Sequence, residues 1–411
     1  MPLLKTLRPT LAILIGASLM LTLSMGLRQS LGIFMQPLTH DVGISISEFT
    51  LAIAVQNLAW GFLQPLAGGL TVRYGFRPVM VVGAVFYIAG LILMAEAHGL
   101  HSIMIGAGVL IGTSLACTGA AIAMSVAARA VPETVRSTVL GIVSAAGSLG
   151  ALLSAPIGQV LNQDLGWRAG LIGFVVLALG MIPAAWFAGK ADAVPLPKPS
   201  SDQLGNVSAG TAVSMAFGNA SFVVMTCAYF VCGMQLVFIT THLPTYLSIC
   251  GMDPMLSAET LGVIGGFNVL GSLFFGWAGG RWNKLALLGG IYVTRSLVLG
   301  LYFMMPPTPA TTLVFGAFMG FLWLGVGPLV AGAVAELFGL QWQAMIQGLA
   351  FMSHQLGSFL GAYGGGVIYD ALGSYNMAWR IGVAVGLSAG IIQVAFALIR
   401  PTAAPPVLRT A

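Results

Sequence analysis

Two arginines and two histidines carry most of the chemistry this chain could do. Arg28 stands in SMGLRQSLGIFMQP, deep in an apolar run that begins at Leu11, and Arg295 stands in YVTRSLVLG. His354 lies in SHQLGSFLG and His242 in TTHLP. A guanidinium holds its N–H donors in a flat fork that grips a carboxylate through two parallel hydrogen bonds. An imidazole, with an unperturbed pKa of about 6.5, exchanges a proton at cellular pH. An arginine near a bilayer's centre costs about 2.5–3.5 kcal/mol on insertion scales, so it faces a wet cavity or a partner. The eleven acidic residues offer no such partner, because all fall in loops or near the ends of apolar runs. That leaves Arg28 to an anionic ligand or, alternatively, to a structural role satisfied by helix ends and water. It also leaves His354, then His242, as candidate proton carriers. A neutral hydrogen-bonding role is the alternative for each.

The elements that position these residues follow from composition. Of 411 residues, 58% are hydrophobic and 7% charged, against about 25% charged in soluble domains. The fold class is therefore all-α integral membrane. Apolar runs of about 20 or more residues predict twelve transmembrane helices. They lie near 11–38, 47–72, 78–97, 101–130, 137–162, 168–189, 218–248, 257–280, 285–305, 310–338, 342–370 and 378–400, and are numbered span 1 to span 12. Twelve basic residues, among them Lys5, Arg8, Arg129, Lys190, Lys198, Lys284, Arg400 and Arg409, then fall on one side, and Arg168 and Arg380 on the other. The positive-inside rule makes the first side, with both termini, cytoplasmic, which suits a cell inner (plasma) membrane. The net charge of +5 is thus a topology signal, and no nucleic-acid partner is expected. The basic start resembles a signal peptide, but the run after it is long and lacks a convincing cleavage site. Cys117, Cys227, Cys232 and Cys250 lack ligand spacing, so no metal, cofactor or disulfide is expected. The pair His98 and His101 falls in an external loop.

The chain says the same thing twice. A Pro-, Ser- and Gly-rich stretch from Gly189 to Gly210 separates six spans from six and reads as a flexible linker. This predicts an N-terminal six-helix bundle over 1–189, a cytoplasmic linker over 190–217 and a C-terminal six-helix bundle over 218–411. Gly26 and Pro37 match Gly233 and Pro244, each pair eleven apart. Asn57, Gly68 and Gly69 match Asn268, Gly279 and Gly280, and GIVSAAGSLG at 141–150 matches GLAFMSHQLG at 348–357. The matched glycines have a packing reading, since small residues let helix backbones approach where lipid removes the hydrophobic force.

On these residues the chain resembles the major facilitator superfamily over essentially its whole length. The family's loop between spans 2 and 3 reads G-x-x-x-D-R-x-G-R-R. Here GGLTVRYGFRP keeps Gly68, Arg73, Gly75 and Arg77 but has Val72 where the Asp belongs, and the second-half copy has Gly280. The resemblance makes this a cytoplasmic latch, built differently here, with Arg73, Arg77, Arg281 and Glu336 as gating candidates and Glu336 pairing with Arg281. The stretches GLRQSLGIFMQPL, ELFG and GGGVIYDALGSYNMAW resemble the monocarboxylate porter and oxalate/formate antiporter branch. By that resemblance His354 matches a basic residue of span 11 and Trp323 a cavity tryptophan of span 10. Ser272 stands where the branch has a carboxylate-binding arginine in span 8, and Asn268 where it has an Asp or Asn.

The resemblance implies a secondary transporter, not an enzyme, that works by alternating access on a small-molecule substrate in the lipid bilayer. Spans 1, 4, 7 and 10 then line the cavity, and Gln235, the repeat mate of Arg28, sits on span 7. The expected substrate is a small organic anion, a carboxylate. Arg28 and His354 would supply positive charge, Asn57, Asn268, Gln235 and Gln355 would orient the ligand, and Trp323 and Tyr363 would shape the wall. Span 9 is peripheral in this fold, so Arg295 is expected to pack between helices. A monomer is expected. The alternative is an exporter of amphipathic drugs or a porter of a larger metabolite, since ALLSAPIG partly matches the Gly-Pro signature of antiporter-type exporters.

Overall fold

The computed structural model describes residues 7–197, 203–204 and 207–399, and among these every predicted span is helical and no strand occurs. Lys5, Lys198, Arg400 and Arg409, used above to orient the chain, lie outside the described residues. Span 1 is Arg8–Val42, span 2 Ile46–Tyr74, span 3 Phe76–Ala95 and span 4 Leu100–Ala130. Spans 5 and 6 run together as Glu133–Ala193. Gly166 separates them at φ 83° and ψ 165°, a backbone conformation that residues with a Cβ rarely adopt. Span 7 is Ala220–Ile249, span 8 Pro254–Ala278, span 9 Lys284–Met304, span 10 Pro309–Phe338, span 11 Gln343–Leu372 and span 12 Asn376–Ile399. Among the described residues, ten helices are long and apolar enough to cross a membrane. Counting the two limbs about Gly166, and adding span 11 with its polar face of His354, Gln355 and Ser358, gives twelve.

Local chemistry sets the boundaries. Ser45 caps span 2 in a reciprocal box with Glu48, and Asn219, Asp253, Asn283 and Thr308 cap spans 7 to 10 through their side chains. The linker is not wholly irregular. Ser208 caps a further short helix, Ala209–Gly218, whose apolar composition suits helix better than the flexible chain expected of it.

The chain divides into two compact units, Met1–Pro197 with Leu340–Gly348, and Lys198–Gly339 with Leu349–Ala411. The same helix crossing holds each. In the first unit a Cβ on Gly150 of span 5 would lie 2.1 Å from the Thr22 carbonyl oxygen of span 1. In the second, a Cβ on Gly357 of span 11 would lie 1.9 Å from the Phe230 carbonyl oxygen of span 7. Gly150 and Gly357 stand 207 residues apart, as do Gly26 and Gly233, which face the same two crossings. The sequence repeat is therefore a repeat of backbone contacts.

Spans 4 and 10 share another feature, which the sequence reading missed. Each is interrupted at a glycine: span 4 breaks at Gly119 between Ile111–Thr118 and Ala120–Ala130, and span 10 at Leu324–Gly325 between Pro309–Trp323 and Val326–Phe338. Gly119 and Gly325 are 206 residues apart, close to the repeat offset, and that spacing was the available signal. Span 4 also winds as a π-helix over Met104–Leu110, a form that gathers at functional sites.

Candidate functional site

In the first unit the site is built around Arg28, half-buried on span 1. Its Nε donates to Gln56 Oε1 at 3.2 Å, and its Nη2 donates to Asn57 Oδ1. The guanidinium carbon lies 5.1 Å from the centre of the Trp60 ring. These three partners follow one another along a face of span 2. Gln56 is fully buried and its Nε2 donates to the Ala107 carbonyl oxygen at 2.8 Å, inside the π-helical segment of span 4. That bond fixes the amide, so its oxygen must face Arg28. Trp60 is held in turn, its Nε1 donating to Gln64 Oε1 at 3.0 Å while Gln64 Nε2 donates to the Ala116 carbonyl oxygen at 2.8 Å.

Every partner of Arg28 is neutral. The ion pairs among the described residues are Arg168 with Asp41 and Lys284 with Glu336, both at span ends. Of the five N–H donors of a guanidinium, the two bonds above use two. Three donors have no hydrogen-bond partner among the described residues. Gln56 was not among the residues singled out from the sequence, because nothing in its spacing says which way a buried amide points.

In the second unit the basic side chains and the amides beside them fall into three hydrogen-bonded groups, the first two within electrostatic reach of each other. The first surrounds Arg295, which is completely buried. Its Nε donates to Gln235 Oε1 at 3.1 Å and its Nη1 approaches Cys232 Sγ at 3.3 Å. Gln235 Nε2 donates to Ser296 Oγ at 2.9 Å and to the Gly382 carbonyl oxygen at 2.8 Å. Both amide hydrogens and the oxygen of Gln235 are thus engaged inside the unit. Instead of orienting a ligand, as its pairing with Arg28 suggested, this side chain positions Arg295.

The second group holds His354 and Gln355. His354 Nδ1 lies 3.3 Å from Gln355 Oε1, and its ring packs 4.6 Å from Tyr229 and 5.6 Å, stacked, from Phe351. The third holds His242, whose Nε2 lies 2.8 Å from the Ala362 carbonyl oxygen and Nδ1 3.1 Å from the Tyr375 hydroxyl. A carbonyl only accepts, so Nε2 carries a hydrogen, while Nδ1 and the Tyr375 hydroxyl share the second bond. Asn268, also buried, accepts the Leu324 N–H at 3.2 Å and so satisfies backbone freed by the break in span 10. Trp323, half-buried, is the last helical residue before that break. Tyr363 is exposed and stacks on Phe359.

The gating residues also have partners other than those expected. Glu336 pairs with Lys284, while Arg281 lies over the Trp277 ring at 4.2 Å. Arg73 lies over Tyr74 and Arg77 over Trp186. The acid missing at Val72 has a counterpart far along the chain. Asp192, in the last turn of span 6, accepts the Phe76 N–H at 2.7 Å and the Arg77 N–H at 3.1 Å, an anion seated on the start of span 3. Gly75, at φ 87°, brings the chain so close that a Cβ there would strike that carboxylate. Arg129 clamps the same turn through the carbonyls of Asp192 and Val194. Asp192→Ala is expected to lower stability by about 1–2 kcal/mol, the cost of a lost helix cap, and Asp192→Asn by less. Thermal unfolding in detergent measures both.

Comparisons with known proteins agree over most of the chain. Residues 17–362 match the sequence profile of the Major Facilitator Superfamily. The chain is 26% identical over 391 residues to YcxA of Bacillus subtilis, an MFS-type transporter, covering 90% of this chain and 91% of that one. It is 25% identical over 400 residues to human monocarboxylate transporter 11, covering 93% and 82%. Among solved structures it is similar to the Escherichia coli fucose:proton symporter FucP, with a TM-score of 0.73 at 15% identity over 95% of this chain and 98% of that one. A second likeness is to the human organic anion transporter MFSD10, with a TM-score of 0.68 at 13% identity over 93% and 98%.

Proposed function

The chain belongs to the Major Facilitator Superfamily, and from that premise we propose that this multi-pass secondary transporter carries a small organic anion, a carboxylate, by alternating access. The observation that carries the reading is Arg28, a cation within a span whose described partners are two amides and an indole face. A substrate carboxylate is the partner its chemistry asks for. The relatives named monocarboxylate transporters support the same substrate class. Arg28, Asn57 and Trp60 are the first unit's candidate ligand-binding residues. His354, with Gln355 behind it, is the second unit's candidate for charge and for a coupled proton, and Trp323 and Tyr363 are its candidate wall residues. The membrane is the cell's inner membrane, with both termini cytoplasmic, because the basic residues at span ends gather on one side.

The test is a ligand panel on purified protein. Small monocarboxylates are expected to raise the unfolding temperature and to drive uptake into proteoliposomes, and matched neutral amides and cationic amphiphiles to do neither. Stabilisation by the amphiphiles alone would overturn the reading in favour of a drug exporter. For coupling, His354→Gln is expected to flatten the pH dependence of uptake while substrate binding partly survives. An unchanged pH profile in that variant would assign the proton to another path.

A further inference from the structure

A cavity of about 370 Å3 opens at the basic end of the first unit, lined by Arg77, Pro78, Gly189, Lys190, Asp192 and Ala193. Two cations line it, and neither is ion-paired among the described residues. The Arg77 guanidinium lies 4.4 Å from the centre of the Trp186 ring, and Lys190 Nζ lies 5.1 Å from that of Phe187. Arg77 Nε is buried without a hydrogen-bond partner among the described residues. The acid in the wall offsets only one of the two charges, and both Asp192 oxygens are engaged by the backbone N–H groups of Phe76 and Arg77 rather than by either cation. The lining therefore keeps a net positive charge, with two side-chain cations in no ion pair among the described residues.

The aromatic rings beneath these cations point to the ligand. Trp186 is 57% exposed and Phe187 44% exposed, at the end of a helix apolar enough to cross a membrane. Aromatic rings at that level sit among lipid headgroups, with basic residues beside them reaching phosphates. Gly189 opens the space between, since a Cβ there would lie 2.4 Å from Arg77 Cβ. The matching end of the second unit differs: one cation, Arg281, lies over Trp277 there, but no pair of cations lines its groove. Its groove of about 290 Å3, bounded by Phe275, Trp282 and Ile291, has no lining cation, and Lys284 nearby is paired with Glu336.

We propose that Arg77 and Lys190 hold the phosphate of an anionic phospholipid, with its glycerol and upper acyl chain against Trp186 and Phe187. A free phosphate would use the cations and leave the exposed rings uncovered, so the occupant is a lipid. This reading is independent of the transported substrate.

The test is thermal unfolding of the delipidated full chain in a neutral detergent. Phosphatidylglycerol is expected to raise the midpoint by a few degrees through mass action, phosphatidylcholine by much less, and inorganic phosphate or glycerol phosphate not at all. Arg77→Gln with Lys190→Gln should remove most of the phosphatidylglycerol rise, and Trp282→Ala, in the other groove, should keep it. Lys190→Gln alone, at an exposed position, serves if the double variant does not fold, and should remove part of the rise. Equal rises with both lipids, or a full rise in the Lys190 variant, would overturn the proposal. A full rise with inorganic phosphate would replace the lipid with a free anion and overturn it too.

Discussion

Arg28→Gln is expected to bind and transport organic anions almost not at all, while the protein still inserts and purifies as a single species. Insertion survives because removing an arginine from a span lowers its insertion cost. Binding does not, because Gln brings neither the charge nor the reach that the fork of donors has. Arg28→Lys separates the two contributions. It keeps the charge but cannot hold Gln56 and Asn57 and also present two parallel donors to a ligand. Losing one charge-assisted hydrogen bond of about 1.5–3 kcal/mol weakens binding about 10- to 100-fold. The measurement is anion affinity and proteoliposome uptake in the three proteins, each first shown to be monodisperse. Equal affinities in all three would make Arg28 structural and sink the carboxylate reading.

The span count, the repeat and the lack of an acidic partner for Arg28 were legible in the sequence. Each rests on something a linear pattern records: the length of an apolar run, a fixed offset between glycines, or a charge with no acid near it. The partners of these residues were not legible. Gln56 and Gln235 are both buried amides beside an arginine, yet Gln56 faces Arg28 from the next helix and Gln235 faces Arg295 two helices on. A shared register fixes where a Cα sits. It does not fix which neighbouring helix supplies the partner, and between the halves the guanidinium has moved from span 1 to span 9.

Asp192 shows the same limit at longer range. A motif search looks for an acid near Val72, whereas the carboxylate beside this turn comes from Asp192 at the end of span 6. What must be preserved at the start of span 3 is a negative charge on exposed N–H groups, and a carboxylate from any part of the chain meets that need. The broken spans are a milder case. Gly119 and Gly325 could have been paired by their offset, but a glycine in an apolar run reads equally well as a packing residue.

The largest expected stability effect lies at the crossing of spans 7 and 11. Replacing Gly357 puts a carbon 1.9 Å from the Phe230 carbonyl oxygen and 2.8 Å from its carbonyl carbon. Both are backbone atoms, so no rotamer change relieves the contact and the helices must part. Parting them also disturbs Gly361 against Met234 and Gly233 against His354, which pack along the same crossing. The collision begins at Cβ, so Gly357→Ala should be nearly as damaging as Gly357→Leu, each losing at least about 3 kcal/mol, the upper range for overpacking. Gly262 supplies the contrast. It lies within span 8, and a Cβ there would meet nothing within 4 Å. Gly262→Ala should therefore be neutral or stabilise by up to about 1 kcal/mol, the helix-propensity gain. Unfolding midpoints and monodispersity of the three variants decide the matter. A Gly357→Ala protein as stable as Gly262→Ala would show that spans 7 and 11 do not meet as closely as described, and His354 would then lose the backbone contact that holds it in place.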